Sequence, residues 1–357
     1  MKSDGVDALW APLVDHGSSW CAPNIHADAS WLDVDGEHWR VSFTQPARRN
    51  SYVVSATGQY LDYAKEELHR LPTPFVRNAS RILLSLTSPM LRALDPVLIL
   101  DALPLSTVLH PARSESQWAH ALRATREAHP GYPIVVRSLD HVTADRTLTQ
   151  LRSLGLSLMP SRLVFHQDPR NDNFWTARNL LNDIALMKRV PLSCRALVPS
   201  DAEQIAALYW ILYGQKHSRL NPQLSPAWMA HGMASHALRG EGIEDDGRLV
   251  AVYLSYCVEG VMTNPVFGYD ISLPQSLGLY RRLSVMALQA ARRHGVLLHA
   301  SSGAPSFKAT RGGIPAIEYL AVDLSGARGL QRLAWQGALR VAQSIGPHML
   351  RHTLLTR

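Results

Sequence analysis

Little in this chain points to the commonest chemistries. It has three cysteines in 357 residues, Cys21, Cys194 and Cys257. They are odd in number and far apart, which excludes a disulfide framework and a paired Cys-x-x-Cys zinc site and fits reduced thiols. Only 18% of the residues are charged, and no run of about 18 apolar residues could cross a bilayer, because Val97–Leu109 is interrupted by Asp101 and Pro104. The start, Met1 to Asp7, carries acids where a secretory signal would be basic and then apolar, so a soluble cytoplasmic protein is expected. There is no Walker A loop, Gly-x-Gly-x-x-Gly fingerprint or His-Glu-x-x-His. A Gly-x-Ser-x-Gly elbow is also missing, since Ser301-Ser302-Gly303 lacks its first glycine. Sixteen histidines invite a metal reading, but His231 and His236 have the wrong spacing for one helix face, and no metal is expected.

What is present describes a well-buried globular chain, 46% apolar, and too long for one ordinary core. Two domains are therefore expected. Lysine and arginine outnumber acids 36 to 29, a net charge of +7. No acid follows Asp323, while Arg328, Arg332, Arg340, Arg351 and Arg357 do, with His348 and His352. A second basic group is Arg281, Arg282, Arg292, Arg293, Lys308 and Arg311. Such groups suit a polyanion. They equally suit a helix over Leu330–Ile345 that packs Leu330, Leu333, Ala334, Ala338 and Val341 and leaves its arginines in water.

Residues 1 to about 75 read as a β-rich start, with strand-like Trp39–Phe43 and Ser51–Ser55, followed by a helix over Asp62–Leu71. Phe174–Arg189 reads as a connecting helix. Pro191–Val198 starts a second unit, in which Ser200-Asp201 would cap a helix over Glu203–Tyr213, and Ala227–Leu238 forms another. Strands Gly242–Asp245 and Leu249–Cys257 flank the hairpin turn Asp245-Asp246-Gly247. Val261–Tyr269 is a third strand, and Asp270–Gly278 a loop.

The most telling stretch is 279–323. Leu279, Leu283, Met286, Ala287, Ala290 and Ala291 share one face of a helix that Gly295 closes. A strand over Val296–Ala300, the Phe307-Lys308 turn, Gly312-Gly313 and a strand over Glu318–Val322 follow. The same order occurs earlier: helix Trp118–His129, strand Pro133–Ser138, helical turn Leu148–Gly155 and strand Arg162–Asp168. The chain thus reads as two copies of one α/β unit.

With these residues the sequence resembles the FemABX-like branch of the GNAT acyltransferase superfamily. The match is carried by Leu-Tyr-Arg, Arg-His-Gly, Phe-Lys and Gly-Gly-x-Pro-x-x-Glu-Tyr near the C-terminus, and in order of elements it covers about 80–325. The resemblance implies an α/β (α+β) fold of two tandem GNAT-like domains, each a mixed, mainly antiparallel sheet flanked by helices. The expected division is 1–172, a connecting helix 173–190, a catalytic domain 191–325 and a basic helical tail 326–357. It also implies an acyltransferase that uses a donor substrate and no permanent cofactor. The donor would be aminoacyl-tRNA, or alternatively acyl-CoA, with tRNA a partner in the first case.

Carried onto this sequence, the family's donor loop is Gln275-Ser276-Leu277-Gly278-Leu279-Tyr280. Gln275 and Gly278 fit its small-residue phosphate signature; Tyr280 stands where the last small residue belongs, against ordinary coenzyme A binding. Arg281, Arg282 and Arg311 are further donor-binding candidates. Lys308 is the leading candidate for oxyanion or phosphate stabilisation, and Tyr269 and Asp270 for acceptor binding or proton transfer. Lys216, His217, Ser302 and Tyr319 are candidates for the acceptor, with Tyr213 and Glu318 nearby in sequence. The acceptor is expected to be a small amine or related nucleophile of natural-product or cell-wall metabolism, with no membrane partner. A non-catalytic RNA- or partner-binding protein on the same fold is the competing class.

Overall fold

The computed structural model describes residues 4–47, 49–70 and 73–355. Among them eleven strands form one sheet in the order β1-β2-β3-β4-β11-β5-β10-β9-β8-β7-β6. The first half supplies β1 (Ala27–Val34), β2 (Glu37–Thr44), β3 (Leu98–Leu100), β4 (Ile134–Leu139) and β5 (Ser157–Gln167). The second supplies β6 (Ser193–Ala196), β7 (Arg239–Asp245), β8 (Arg248–Val258), β9 (Val261–Tyr269), β10 (Leu297–His299) and β11 (Ile314–Asp323). Helices run α1 (Asp4–His16), α2 (Ser18–Cys21), α3 (Ala64–Glu67), α4 (Pro74–Arg92), α5 (Glu115–Ala128), α6 (Asp145–Ser153) and α7 (Arg178–Arg189). They continue with α8 (Ala202–Trp210), α9 (Pro226–Ala234), α10 (Leu279–Arg293), α11 (Pro305–Ala309) and α12 (Gly329–Leu355).

The two copies are visible in the pairing. β3 runs parallel to β4, and β9 runs parallel to β10, while the other ladders are antiparallel. In each copy the second parallel strand follows an amphipathic helix, α5 or α10, and precedes a short helix, α6 or α11, and a long strand, β5 or β11. Those long strands pair with each other from Ile314↔His166 to Val322↔Ser157. β11 lies between β4 and β5, and β5 lies beside β10, so each copy's last strand is built into the other's sheet. α10 buries Leu279, Leu283, Met286, Ala287, Ala290 and Ala291, the face its period marks.

Several expected elements differ. Ser51–Ser55 forms turns, not a strand, because its backbone groups bond to distant segments: Ser51 N to Asn24 O, Tyr52 N to Leu220 O, and Val53 O to Arg137. Of the expected helix Asp62–Leu71, residues 62–70 belong to a mixed helical stretch, a π-turn over Gly58–Tyr63 followed by α3 and a 3₁₀ turn over Leu68–Arg70, and Leu71 lies outside the described residues. Asp201 does not cap α8; its carboxylate accepts from Val198 N and from Arg195. The C-terminal helix extends over Gly329–Leu355 and packs through Ala334, Trp335, Ala338 and Leu339. Trp335 fixes this rotation by donating to Leu94 O at 2.9 Å, which leaves Leu330, Leu333 and Val341 in solvent. The side chains of His348, Arg351, His352 and Arg357 lie outside the described ones.

Candidate functional site

In the second copy the sheet opens into a fork. The β9–β10 ladder ends at Thr263↔His299, while β9 continues to Tyr269. A bulge opens it: Leu254 pairs with Val266 and Tyr256 with Thr263, so Ser255 alone faces Asn264 and Pro265. An extra residue bends and twists a strand, and Pro265 offers no amide to a neighbour. Beyond the bulge, the β9 edge away from β8 has no ladder partner among the described residues. Asn264 Oδ1, buried and without a hydrogen bond, sits at the crotch.

α10 starts beside this fork. Its N-cap is Gly278, in the left-handed region at φ 61° and with no side-chain cap. The first amides of a helix are unpaired donors at the positive end of its dipole. The glycine suits the left-handed φ, and a Cβ there would lie 2.5 Å from Leu186 Cδ2, the end of a side chain that would have to move. Gln275 begins the 3₁₀ turn before it, and Gly278 N donates to Gln275 O at 2.9 Å. Tyr280 turns its ring into an aromatic cluster with Phe267, Tyr269 and Phe307, the last at 4.7 Å between centroids. Burial pushes the Tyr280 hydroxyl up to about 12, so it stays protonated.

The cations here are held, not free. Arg281 and Arg311 both bond the carboxylate of Asp183, which is fully buried on α7. Arg311 also lies 3.6 Å over the Phe307 ring. Arg282 is buried, donates to Leu277 O and Leu186 O, and has its pKa lowered by burial. Arg292 pairs with Asp172, and Arg293 with Glu241. Three carboxylates, Asp183, Asp172 and Glu241, thus pair four of the six cations of the second basic group, and Arg282 and Lys308 bond carbonyl oxygens only.

Lys308 is buried on α11, and its Nζ donates to Ala300 O at 2.6 Å, Ser301 O at 3.2 Å and Ser302 O at 2.6 Å. Those three acceptors occupy all three donors of an ammonium, placing its charge against the residue that follows the end of the β10 ladder. Burial and, after it, the nearby Arg162 push its pKa down to about 7. Ser302 is exposed, and Ser301 Oγ accepts from Thr107. Tyr269 is half-buried at the end of β9. Asp270 accepts from Ser272 and Arg248, and the Ser272 hydroxyl leads in holding its pKa low. Glu318 is buried in a two-pronged ion pair with Arg162, and Tyr319 packs on His141. Lys216 and His217 lie in the π-helical turn after α8, where the His217 ring sits tilted against Tyr213, 6.0 Å between centroids. The structure thus gathers Tyr269, Gly278, Tyr280, Lys308 and Arg311 around one fork, and places Lys216, His217 and Tyr319 on other elements.

A cluster that sequence reasoning missed lies where the copies join. Asp140 after β4, His166 on β5 and His299 on β10 are all buried, with His166 Nε2 3.1 Å and His299 Nε2 3.5 Å from the carboxylate. Burial alone would raise the Asp140 carboxyl; the histidines, with His166 first, hold it below the usual range. The set matches a metal site in residue type, but its hydrogen bonding does not fit one. Ser301 N donates to His299 Nδ1, so the neutral ring's proton sits on Nε2, the nitrogen facing Asp140. His166 Nδ1 has no hydrogen-bond partner, whereas a ligating imidazole is normally anchored through its second nitrogen. The pairing of β10 with β5 sets His299 opposite His166, β11 between β4 and β5 carries Asp140 to them, and no local spacing signals the three.

The order strand, helix, parallel strand, short helix and long strand, repeated in both halves, is that of a GNAT-like fold in two tandem copies, of which the second leaves its fork open and its helix uncapped. No protein-family model and no curated protein matches the sequence. Solved structures do match. The C-terminal domain of an Agrobacterium fabrum protein assigned as a lysylphosphatidylglycerol synthetase is 12% identical, with 97% of each chain covered and a TM-score of 0.52. L-PGS from Bacillus licheniformis is 11% identical, covering 94% of this chain and 96% of that one, with a TM-score of 0.52. FemX is 10% identical over 83% of this chain and 88% of its own, with a TM-score of 0.49. At such identities the first two likenesses, with TM-scores of 0.52, speak for the fold alone.

Proposed function

We propose that the protein is an acyltransferase whose donor binds in the β9–β10 fork, and that it moves an aminoacyl group from aminoacyl-tRNA to an amine or related nucleophile of a small molecule. The observation that carries this reading is the bulge at Asn264-Pro265, which leaves a strand edge open opposite the uncapped amides of α10. An extended donor can pair with that edge as an added strand does, and its phosphate can meet the helix amides. The attack needs two oriented reactants, a proton acceptor and stabilisation of the developing oxyanion. Lys308, while protonated, supplies a positive charge below the end of β10. Tyr269 faces the acceptor side. Asp270, spent on Ser272 and Arg248, shapes the loop before α10. Gln275, Gly278, Tyr280, Arg281, Arg282 and Arg311 frame the donor, and Ser302, Tyr319, Lys216 and His217 remain candidates for the acceptor.

The choice of tRNA rests on Tyr280, whose ring fills the place of a small residue in coenzyme A loops and seats itself among aromatics. An acyl-CoA donor is the second reading, favoured by the open β9 edge, which suits a linear amide-bearing arm. Incubation with charged tRNA or acyl-CoA and a panel of amines tests both. Product formed from charged tRNA and abolished by ribonuclease supports the first reading; product from acyl-CoA alone replaces it with the second. Absence of product from both, with tight tRNA binding, overturns catalysis in favour of an RNA-binding protein.

A further inference from the structure

The first half carries a helix that the fork does not use. α4 has no buried residue, yet Phe75, Ala79, Ile82, Leu83, Leu86 and Met90 repeat at the spacing of one helical face. Phe75 is 82% and Leu86 75% exposed, with Ile82 and Leu83 also in solvent. A face of large apolar side chains this open calls for an occupant. α12 lies alongside: a Cβ on Gly337 would touch Met90 Cε at 3.3 Å. Gly337 shares its face of α12 with Leu330, Leu333 and Val341, the residues that Trp335 anchoring leaves exposed. The two apolar faces therefore adjoin.

Their charge identifies the occupant. Residues 74–92 contain Arg77, Arg81 and Arg92 and no acid, and the chain after Asp323 contains no acid either. Arg81, Arg328, Arg332 and Arg340 are exposed. A second copy would gather the exposed Arg81, Arg92, Arg328, Arg332 and Arg340 of both chains beside the contact, with no acid in residues 74–92 or after Asp323 to offset them. Nucleic acid would leave the leucines and Phe75 with nothing to enter. A bilayer surface rich in anionic phospholipid satisfies both parts, acyl chains taking the apolar side chains and headgroups the cations.

We propose that α4 and α12 form a docking surface that lays the protein on an anionic membrane, with α4 in the interfacial plane. The attachment proposed for this surface is interfacial, and no helix among the described residues is long and apolar enough to cross the membrane. It is independent of the acyl-transfer reading.

Co-sedimentation of the full chain with phosphatidylcholine vesicles, with and without phosphatidylserine, tests it. Binding is expected only with phosphatidylserine, to weaken as salt rises, and to fall at least about tenfold in a Phe75→Ser, Leu83→Ser, Leu86→Ser variant. These side chains support no core, so the variant's circular dichroism and thermal unfolding midpoint should match the parent. Equal binding by parent and variant, binding that ignores the anionic lipid, or no binding overturns the proposal. So does a dimer of the parent, seen by light scattering, that the variant loses, since it would assign the face to a second copy.

Discussion

The two copies of the fold meet the same geometric problem at their parallel strand pairs and treat it differently. In the first copy the β3–β4 ladder ends at Ile99↔Val135, and the space beyond is filled. Asp101, fully buried, bonds Arg40 and His110, and Arg113 stacks 3.7 Å over Trp39. The helix that follows is sealed by a capping box, with Ser114 accepting from Gln117 N and Gln117 accepting from Ser114 N. In the second copy the corresponding helix starts at an uncapped glycine, and the strand beside it bulges away. One copy has spent its fork on stability and the other has kept its fork open. The proposal above is the functional reading of that asymmetry.

The contrast can be broken most severely in the sealed fork. Asp101→Ala leaves Arg40 buried without its fully buried partner, and stability should drop by about 3–5 kcal/mol in chemical denaturation. Burial alone would raise the Asp101 carboxyl, but Arg40 and His110 hold it well below the usual range. A carboxyl depressed in the folded state contributes stability that is complete above its unfolded pKa of about 4 and lost as pH falls below it. The parent should therefore weaken on acidification below about pH 4, with a shallower dependence in Asp101→Asn.

Next in size is Lys308→Met in the open fork, expected to slow transfer by about tenfold or more, the scale of losing one charged stabilising group. With the Lys308 pKa near 7, the ammonium is lost as pH rises through that value. The rate ratio of parent to variant should fall across the same interval, which separates this effect from deprotonation of the acceptor amine. The smallest effect belongs to the cap: Ser114→Ala should cost about 1 kcal/mol in thermal or chemical unfolding and leave transfer unchanged.

Much of this contrast was legible in the chain. The period of Leu279–Ala291, the strand over Val261–Tyr269 and the repeat of Trp118–Asp168 all follow from spacings within one segment, where side chains meet by helical or strand geometry. The exchange of β5 and β11 between copies was not legible, because strand order depends on pairings more than a hundred residues apart. The site divides along the same line. Gly278, Tyr280 and Lys308 are marked by local sequence. Asp183, which holds Arg281 and Arg311, and the Asp140, His166 and His299 cluster are defined only by long-range contact. The C-terminal helix divides as well: spacing marked Ala334 and Ala338, which are buried, together with Leu330, Leu333 and Val341, which burial of the large Trp335 ring on the neighbouring face leaves in solvent.

The central claim is that the open fork of the second copy takes the donor. It is tested by transfer from charged tRNA to an amine, measured under single turnover for Gly278→Val and Ser114→Ala at matched folded fractions. The valine meets both the left-handed backbone and Leu186, so Gly278→Val should lose at least about tenfold in rate while Ser114→Ala retains the parent's rate. Parental turnover in Gly278→Val, or a loss confined to Ser114→Ala, would contradict the account.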